Sequence, residues 1–171
     1  MTIVPLHVSR IGHGIGNCYY ISETETLAAS AQDIFTIVAP STHGVLIAEL
    51  VLYNTSGGAS NNLTIGHTTG ATAGSGGSAV TGIKGIMPGL PSPAATYEVE
   101  NTTQATVATA WFTFSVASAS AFAWRTAGVG NLRAGHRHEL VVPAGGTFVV
   151  SGTPNAGTHT IEAWVEEIPY P

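Results

Sequence analysis

The sequence is poor in charge. Lysine, arginine, aspartate and glutamate together make up 9% of its 171 residues, against roughly 25% in ordinary soluble domains. Lys84 is the single lysine, Asp33 the single aspartate and Cys18 the single cysteine. One cysteine excludes an intramolecular disulfide and so a stapled secreted scaffold; the expected role of Cys18 is a small buried hydrophobe. The four arginines (Arg10, Arg125, Arg133, Arg137) fall short of the basic stripe that neutralises phosphates, so no nucleic-acid partner is expected. No apolar run approaches the ~20 residues of a spanning helix, and no membrane partner is expected. The first residues lack a basic segment leading into an apolar run of about 7–15 residues, so the expectation is a chain made in a cytoplasm and not secreted.

What remains is 44% hydrophobic residues, 21 glycines and many Thr, Ser and Ala. That combination is not disorder, which needs high charge and few apolar residues. A chain this long suits one domain with a real core. A surface with so little charge implies that much of it meets other protein copies.

The chain reads as short strands broken by glycine and proline. Val141 to Ile168 is strand, turn, strand, loop, strand, with Ile161, Ala163 and Val165 on one face and Thr160, Glu162, Trp164 and Glu166 on the other. Glu162, Glu166 and Glu167 look like an exposed face, and the whole stretch like the closing edge of a sandwich. Val45 to Asn54 is apolar on both faces around Glu49, which argues for a central strand and leaves Glu49 needing a partner or water. Its period of two groups Leu46, Ala48, Leu50 and Leu52. Further strands are expected at Thr2–Val8, Cys18–Thr26, Ile34–Val38, Leu63–His67, Tyr97–Glu100, Val107–Val116 and Ala121–Arg125, with Leu63–His67 paired across the turn of residues 54–62. Leu27 to Gln32 has helical propensity, for about a turn. Residues 1–20, with three alternate glycines in Ile11 to Gly16, form an arm or connector, and residues 21–171 the domain. The fold class is all-β: a single-domain, jelly-roll-like β-sandwich of about eight to ten antiparallel strands.

Chemistry is hard to find. His136 and His138, at i and i+2, would share one face of a strand and form a weak metal-ligand pair. The pattern resembles the cupin motif, but a cupin places its Glu about four residues after the second His. Here Glu139 is adjacent and Val142 and Pro143 stand in that region, so no metal and no cofactor are expected. Asp33 is the only aspartate for a Ser-His-Asp triad, and no Gly-x-Ser-x-Gly elbow is present. The expectation is that the chain is not an enzyme. Trp111, Trp124 and Trp164 supply either a subunit contact, where Trp is enriched, or a glycan-stacking platform. Trp111 and Trp164 fall on the less apolar face of their strands. Arg125 and Arg137 join the tryptophans as candidate contact residues.

The layout of residues 34–168 resembles small structural proteins of tailed-bacteriophage virions. The shared features are Ile47-Ala-Glu-Leu-Val51, a long Ala/Thr/Gly-rich middle, Ala121-Phe-Ala-Trp-Arg125, the Val-Pro-Ala-Gly-Gly of Val142 to Gly146, and Ala163-Trp-Val-Glu-Glu167. The resemblance implies a jelly-roll virion component that decorates or stabilises the capsid, or forms part of a fibre or collar. Its implied partners are the major capsid protein or other virion proteins and itself, as a homo-oligomer with a trimer favoured. A receptor- or carbohydrate-binding module of a fibre or tail and a cupin-like metal-binding protein are the alternatives.

Overall fold

The computed structural model describes residues 16–55, 58–68, 74–125 and 140–169. Twelve strands and no helix occur among them: β1 (Asn17–Leu27), β2 (Gln32–Val38), β3 (His43–Asn54), β4 (Ser60–Thr68), β5 (Ser78–Ala79), β6 (Ile83–Gly85), β7 (Thr96–Asn101), β8 (Thr109–Val116), β9 (Ser120–Arg125), β10 (Leu140–Val142), β11 (Thr147–Thr153) and β12 (Gly157–Pro169).

They make two antiparallel sheets. The first runs β10-β3-β12-β1-β6, with β9 also on β3, and the second β5-β7-β2-β11-β4-β8. Without the short β5, β6 and β7, the strands pair as β1-β12-β3-β9/β10 and β2-β11-β4-β8. Each connection from β1 to β4, and again from β8 to β9 and β10 to β12, crosses from one sheet to the other. That is the winding of a jelly roll, two Greek keys closed face to face. The strand count exceeds eight to ten because the stretch between β4 and β8 adds three short strands at the far edges.

β1 takes in Asn17 to Tyr20, so a boundary at residue 20 cuts through a strand; Met1 to Ile15, with the strand expected at Thr2–Val8, lie outside the described residues. Leu27 to Gln32 holds a bend and no helix. β4 does not pair with β3 across the 54–62 turn; it crosses to the second sheet, between β11 and β8. β11 and β12 are central strands, not a closing edge. Each has a partner on both sides.

The core fills the space between the sheets, with Phe35 against Phe148 edge-on at 6.4 Å among fully buried Ile21, Ile37, Ile47, Leu50, Leu63, Ile65 and Ile161. Each such side chain contributes about 1.5–3 kcal/mol of transfer free energy. In β3 the face alternation breaks. Trp164 pairs with Glu49 but Val165 pairs with Ile47, so Ala48 is a bulge. Val45, Ile47, Leu50 and Leu52 therefore point into the core, while Glu49 is turned outward.

The connection between β7 and β8 runs as a strap across the outer face of the second sheet. Gln104 Nε2 donates to the Gln32 carbonyl at 3.1 Å, and Ala108 N donates to the His67 carbonyl at 3.0 Å. Thr36 and Val149, which alternate with core-facing Phe35 and Val150, are fully buried although they face outward. Gly66 permits this approach, since a Cβ there would run into Thr109 O and Val107 Cγ1.

Candidate functional site

Two surfaces and two buried clusters bear on function. The first surface is the side of the sandwich where, among the described residues, β8 and β9 are edge strands joined by the turn of residues 117–119. β8 pairs only with β4 and β9 only with β3 among the described residues. Phe112 and Phe114 of β8 meet Phe122 of β9 between the sheets. Phe114 stacks on Phe122 at 3.9 Å with 27° between planes, and Phe112 lies 5.8 Å from Phe122. With Trp124 they pack against the core yet remain half-exposed. No charged residue lies in Thr109–Val116 or Ser120–Trp124.

Trp111 does not face outward as its alternation predicts. The register shift between Ile65 and Gly66 turns it toward Phe148 at 5.9 Å, with His67 at 5.7 Å on its other flank. Arg125 ends the seam. Its Nε donates to Glu49 Oε1 at 2.7 Å, so the lone acid of β3 has a partner. The pair is exposed, and such pairs are worth ~0–1 kcal/mol.

The second surface is the outer face of the first sheet. Trp164 stands beside Tyr20 with ring centroids 5.0 Å apart, and both are half-buried. Burial, with hydrogen bonding to Glu162, pushes the Tyr20 phenol up. The structure thus separates the tryptophans, with Trp111 and Trp124 on the aromatic side and Trp164 on an outer face. Arg137, His136, His138 and Glu139 lie outside the described residues. Among the described residues no three His, Cys, Asp or Glu side chains converge as a metal site would require.

The first buried cluster has the geometry of a nucleophile and base. Ser60 Oγ lies 3.1 Å from His159 Nε2, and His159 Nδ1 lies 3.1 Å from the Gly157 carbonyl. A neutral imidazole with its proton on Nδ1 satisfies both contacts, the Ser60 hydroxyl donating to Nε2. Asn155 N donates to Ser60 Oγ at 3.0 Å. Both side chains are fully buried, and among the described residues no carboxylate completes a triad. The pair acts as a latch between the start of β4 and the start of β12. Residues 99 positions apart leave no local spacing by which the sequence could reveal it.

The second cluster is a pair of carboxylates that hold the two ends of β7. Glu167 is 1% exposed, contrary to an exposed strand face, and Glu166 is also buried. Glu167 accepts from Ala94 N at 2.8 Å, Ala95 N at 3.0 Å and Tyr97 Oη at 3.0 Å. Burial and the neighbouring charge push the Tyr97 phenol far up, which keeps it a donor. Asp33 is also fully buried, but its Oδ2 accepts only from Ala105 N at 2.8 Å and its Oδ1 has no partner among the described residues. Desolvation pushes Asp33 up to about 6. Asn101, its cross-strand neighbour, donates to Thr36 Oγ1 and Glu98 Oε2 at 3.2 Å, and its own Oδ1 has no partner among the described residues.

Cys18 is half-buried; burial, then the charge of Glu166, pushes its thiol up, the reverse of what a nucleophilic thiolate needs. An open, shallow depression lined by Tyr53, Asn54, Thr55, Ala119, Ser120 and Ala121 gathers no acid, base or nucleophile pair. Comparison of the chain with protein-family models, curated proteins and solved structures finds no match.

Proposed function

We propose that this chain is a non-enzymatic structural protein of a bacteriophage virion, decorating or stabilising the capsid through protein–protein contacts. Its partners in this reading are the major capsid protein or other virion proteins and further copies of itself, a trimer being the favoured form. The layout of residues 34–168 suggests it and the jelly-roll winding is compatible with it. The observation that carries it is the half-exposed aromatic side at β8 and β9, which bears no charge to desolvate. Buried aromatic anchors ringed by uncharged residues are where interface energy concentrates. Repetition over a symmetric lattice then multiplies contacts that are individually weak.

The test is to add the purified protein to capsids lacking it and measure co-sedimentation and copy number. Saturable binding at a fixed number of copies per capsid supports the reading. A monomer that does not co-sediment sinks it.

A second reading, a carbohydrate-binding module, is favoured by the Tyr20–Trp164 pair beside Glu162. Aromatic faces next to a carboxylate suit a sugar's C–H face and hydroxyls. A silent glycan array, or glycan binding that survives Trp164→Ala, removes it.

A further inference from the structure

We infer that copies of this chain associate head to tail, the Ile86–Met87 turn of one copy seating in the Phe112–Phe114–Phe122–Trp124 seam of the next. This deepens the self-association in the proposed function and names the surfaces that would carry it.

The exposed large hydrophobics among the described residues are Ile86 at 39%, Met87 at 47% and Val141 at 49%, and they lie at the two opposite edges of the first sheet. Ile86 and Met87 follow β6, the edge next to β1. Val141 lies in β10 on the far side of β3, beside β9. One edge of the molecule therefore carries an apolar projection, and the opposite edge an apolar seam between two edge strands.

The projection is held in shape. Ile86 N donates to the Cys18 carbonyl at 3.1 Å, and Leu90 N donates to the Met87 carbonyl at 3.4 Å. Pro88 presets the turn and Gly89, with φ of 82°, takes the left-handed position that a type II turn requires. Leu90 anchors the turn on the core. A turn so fixed loses little conformational freedom on binding.

The chemistry of the two surfaces matches. Ile86 to Leu90 carries no charge, nor do Thr109–Val116 and Ser120–Trp124, so neither surface buries an unpaired ion in the contact. A flexible thioether against aromatic edges is a favourable pairing in its own right. Because the two patches sit on opposite edges, a contact between them is heterologous. It leaves one free projection and one free seam, so assembly continues until a ring closes or a filament grows.

The test uses the full chain and light scattering coupled to gel filtration. Met87→Asp removes the projection. Trp124→Arg places a charge in the seam itself, at a half-exposed ring of β9; Phe122→Arg serves if Trp124→Arg misfolds. Wild type is expected above the 17.5 kDa of one chain, and each variant alone at that mass. An equimolar mixture of the two variants is expected to form a dimer of twice that mass, since one intact projection and one intact seam remain. A wild type that runs as a monomer, a Met87→Asp protein of wild-type mass, or a mixture that stays monomeric overturns the inference. Monomeric wild type that still loads onto capsids removes this contact alone, whereas a mixed dimer with no capsid binding by wild type removes the virion reading alone.

Discussion

Glu167 near the end of β12 and Asp33 at the start of β2 each fix one end of β7, yet their surroundings differ. Three donors converge on Glu167, two backbone N–H groups and the Tyr97 hydroxyl. Asp33 has one, from Ala105, and one oxygen without a partner among the described residues. A buried carboxylate gains from ionisation only when its lone pairs are answered. The two groups thus do opposite things to the fold. Glu167 ties the stretch between β4 and β8 to the far end of the first sheet, helped by Tyr19 Oη, which donates to the Pro91 carbonyl at 3.1 Å. Asp33 tethers the strap over the outer face, but its charge is held at a cost.

The largest effect expected from breaking this contrast is at Glu167. Glu167→Ala leaves the buried Ala95 N–H and Tyr97 hydroxyl without their acceptor and should cost about 3–5 kcal/mol in denaturant unfolding; a loss under about 1 kcal/mol would show that the carboxylate is no anchor.

Next in size is the pH response of Asp33. Its carboxyl is raised from 3.8 to about 6 in the fold, so the folded state holds the proton more tightly. The stability this contributes is fully present below about pH 4 and lost as pH rises through 6. The change amounts to about 3 kcal/mol. It should appear as the difference between wild type and Asp33→Asn across that window, and matching pH profiles would refute it.

Tyr97→Phe should cost about 1–2 kcal/mol by removing one of the three donors. It should leave the pH difference at Asp33 unchanged, and a changed difference would mean that the two ends of β7 are coupled.

The smallest effect belongs to Asp33→Asn below about pH 4, where the wild-type carboxyl is protonated too. The amide keeps an acceptor for Ala105 N and, like the protonated acid, places a donor where Oδ1 has none. Stability there should change by less than about 1 kcal/mol. A clear loss in thermal unfolding at that pH would mean that the amide does not stand in for the protonated carboxyl.

Much of the scaffold could be read from period-two patterning. The β12 core face of Ile161, Ala163 and Val165, the central place of β3, and the absence of helix over most of the chain all follow from apolar alternation. The candidate site was only partly legible. Trp124 and Arg125 stand out as a Trp-bearing segment, but no local pattern singles out Phe112, Phe114 or Phe122 as parts of one surface. Nothing local says that β8 and β9 are both edge strands on one side of the sandwich. Trp111 was assigned to the wrong face because one irregularity in the β4–β8 register reverses alternation. Glu166 and Glu167 read as solvent-facing because acids on a strand usually are, and the donors for Glu167 come from residues about 70 positions away.

The sequence by itself determined the class of fold, since side-chain alternation and glycine and proline breaks act over a few residues. It also determined a surface poor in charge. Tertiary structure decided which strands are central, where the Ala48 bulge turns Glu49 out to Arg125, and which carboxylate is satisfied. It also set the aromatic seam and the Ile86–Met87 turn on opposite edges. The physical reason is that burial, cross-sheet hydrogen bonds and register depend on partners remote in sequence, which no local pattern encodes.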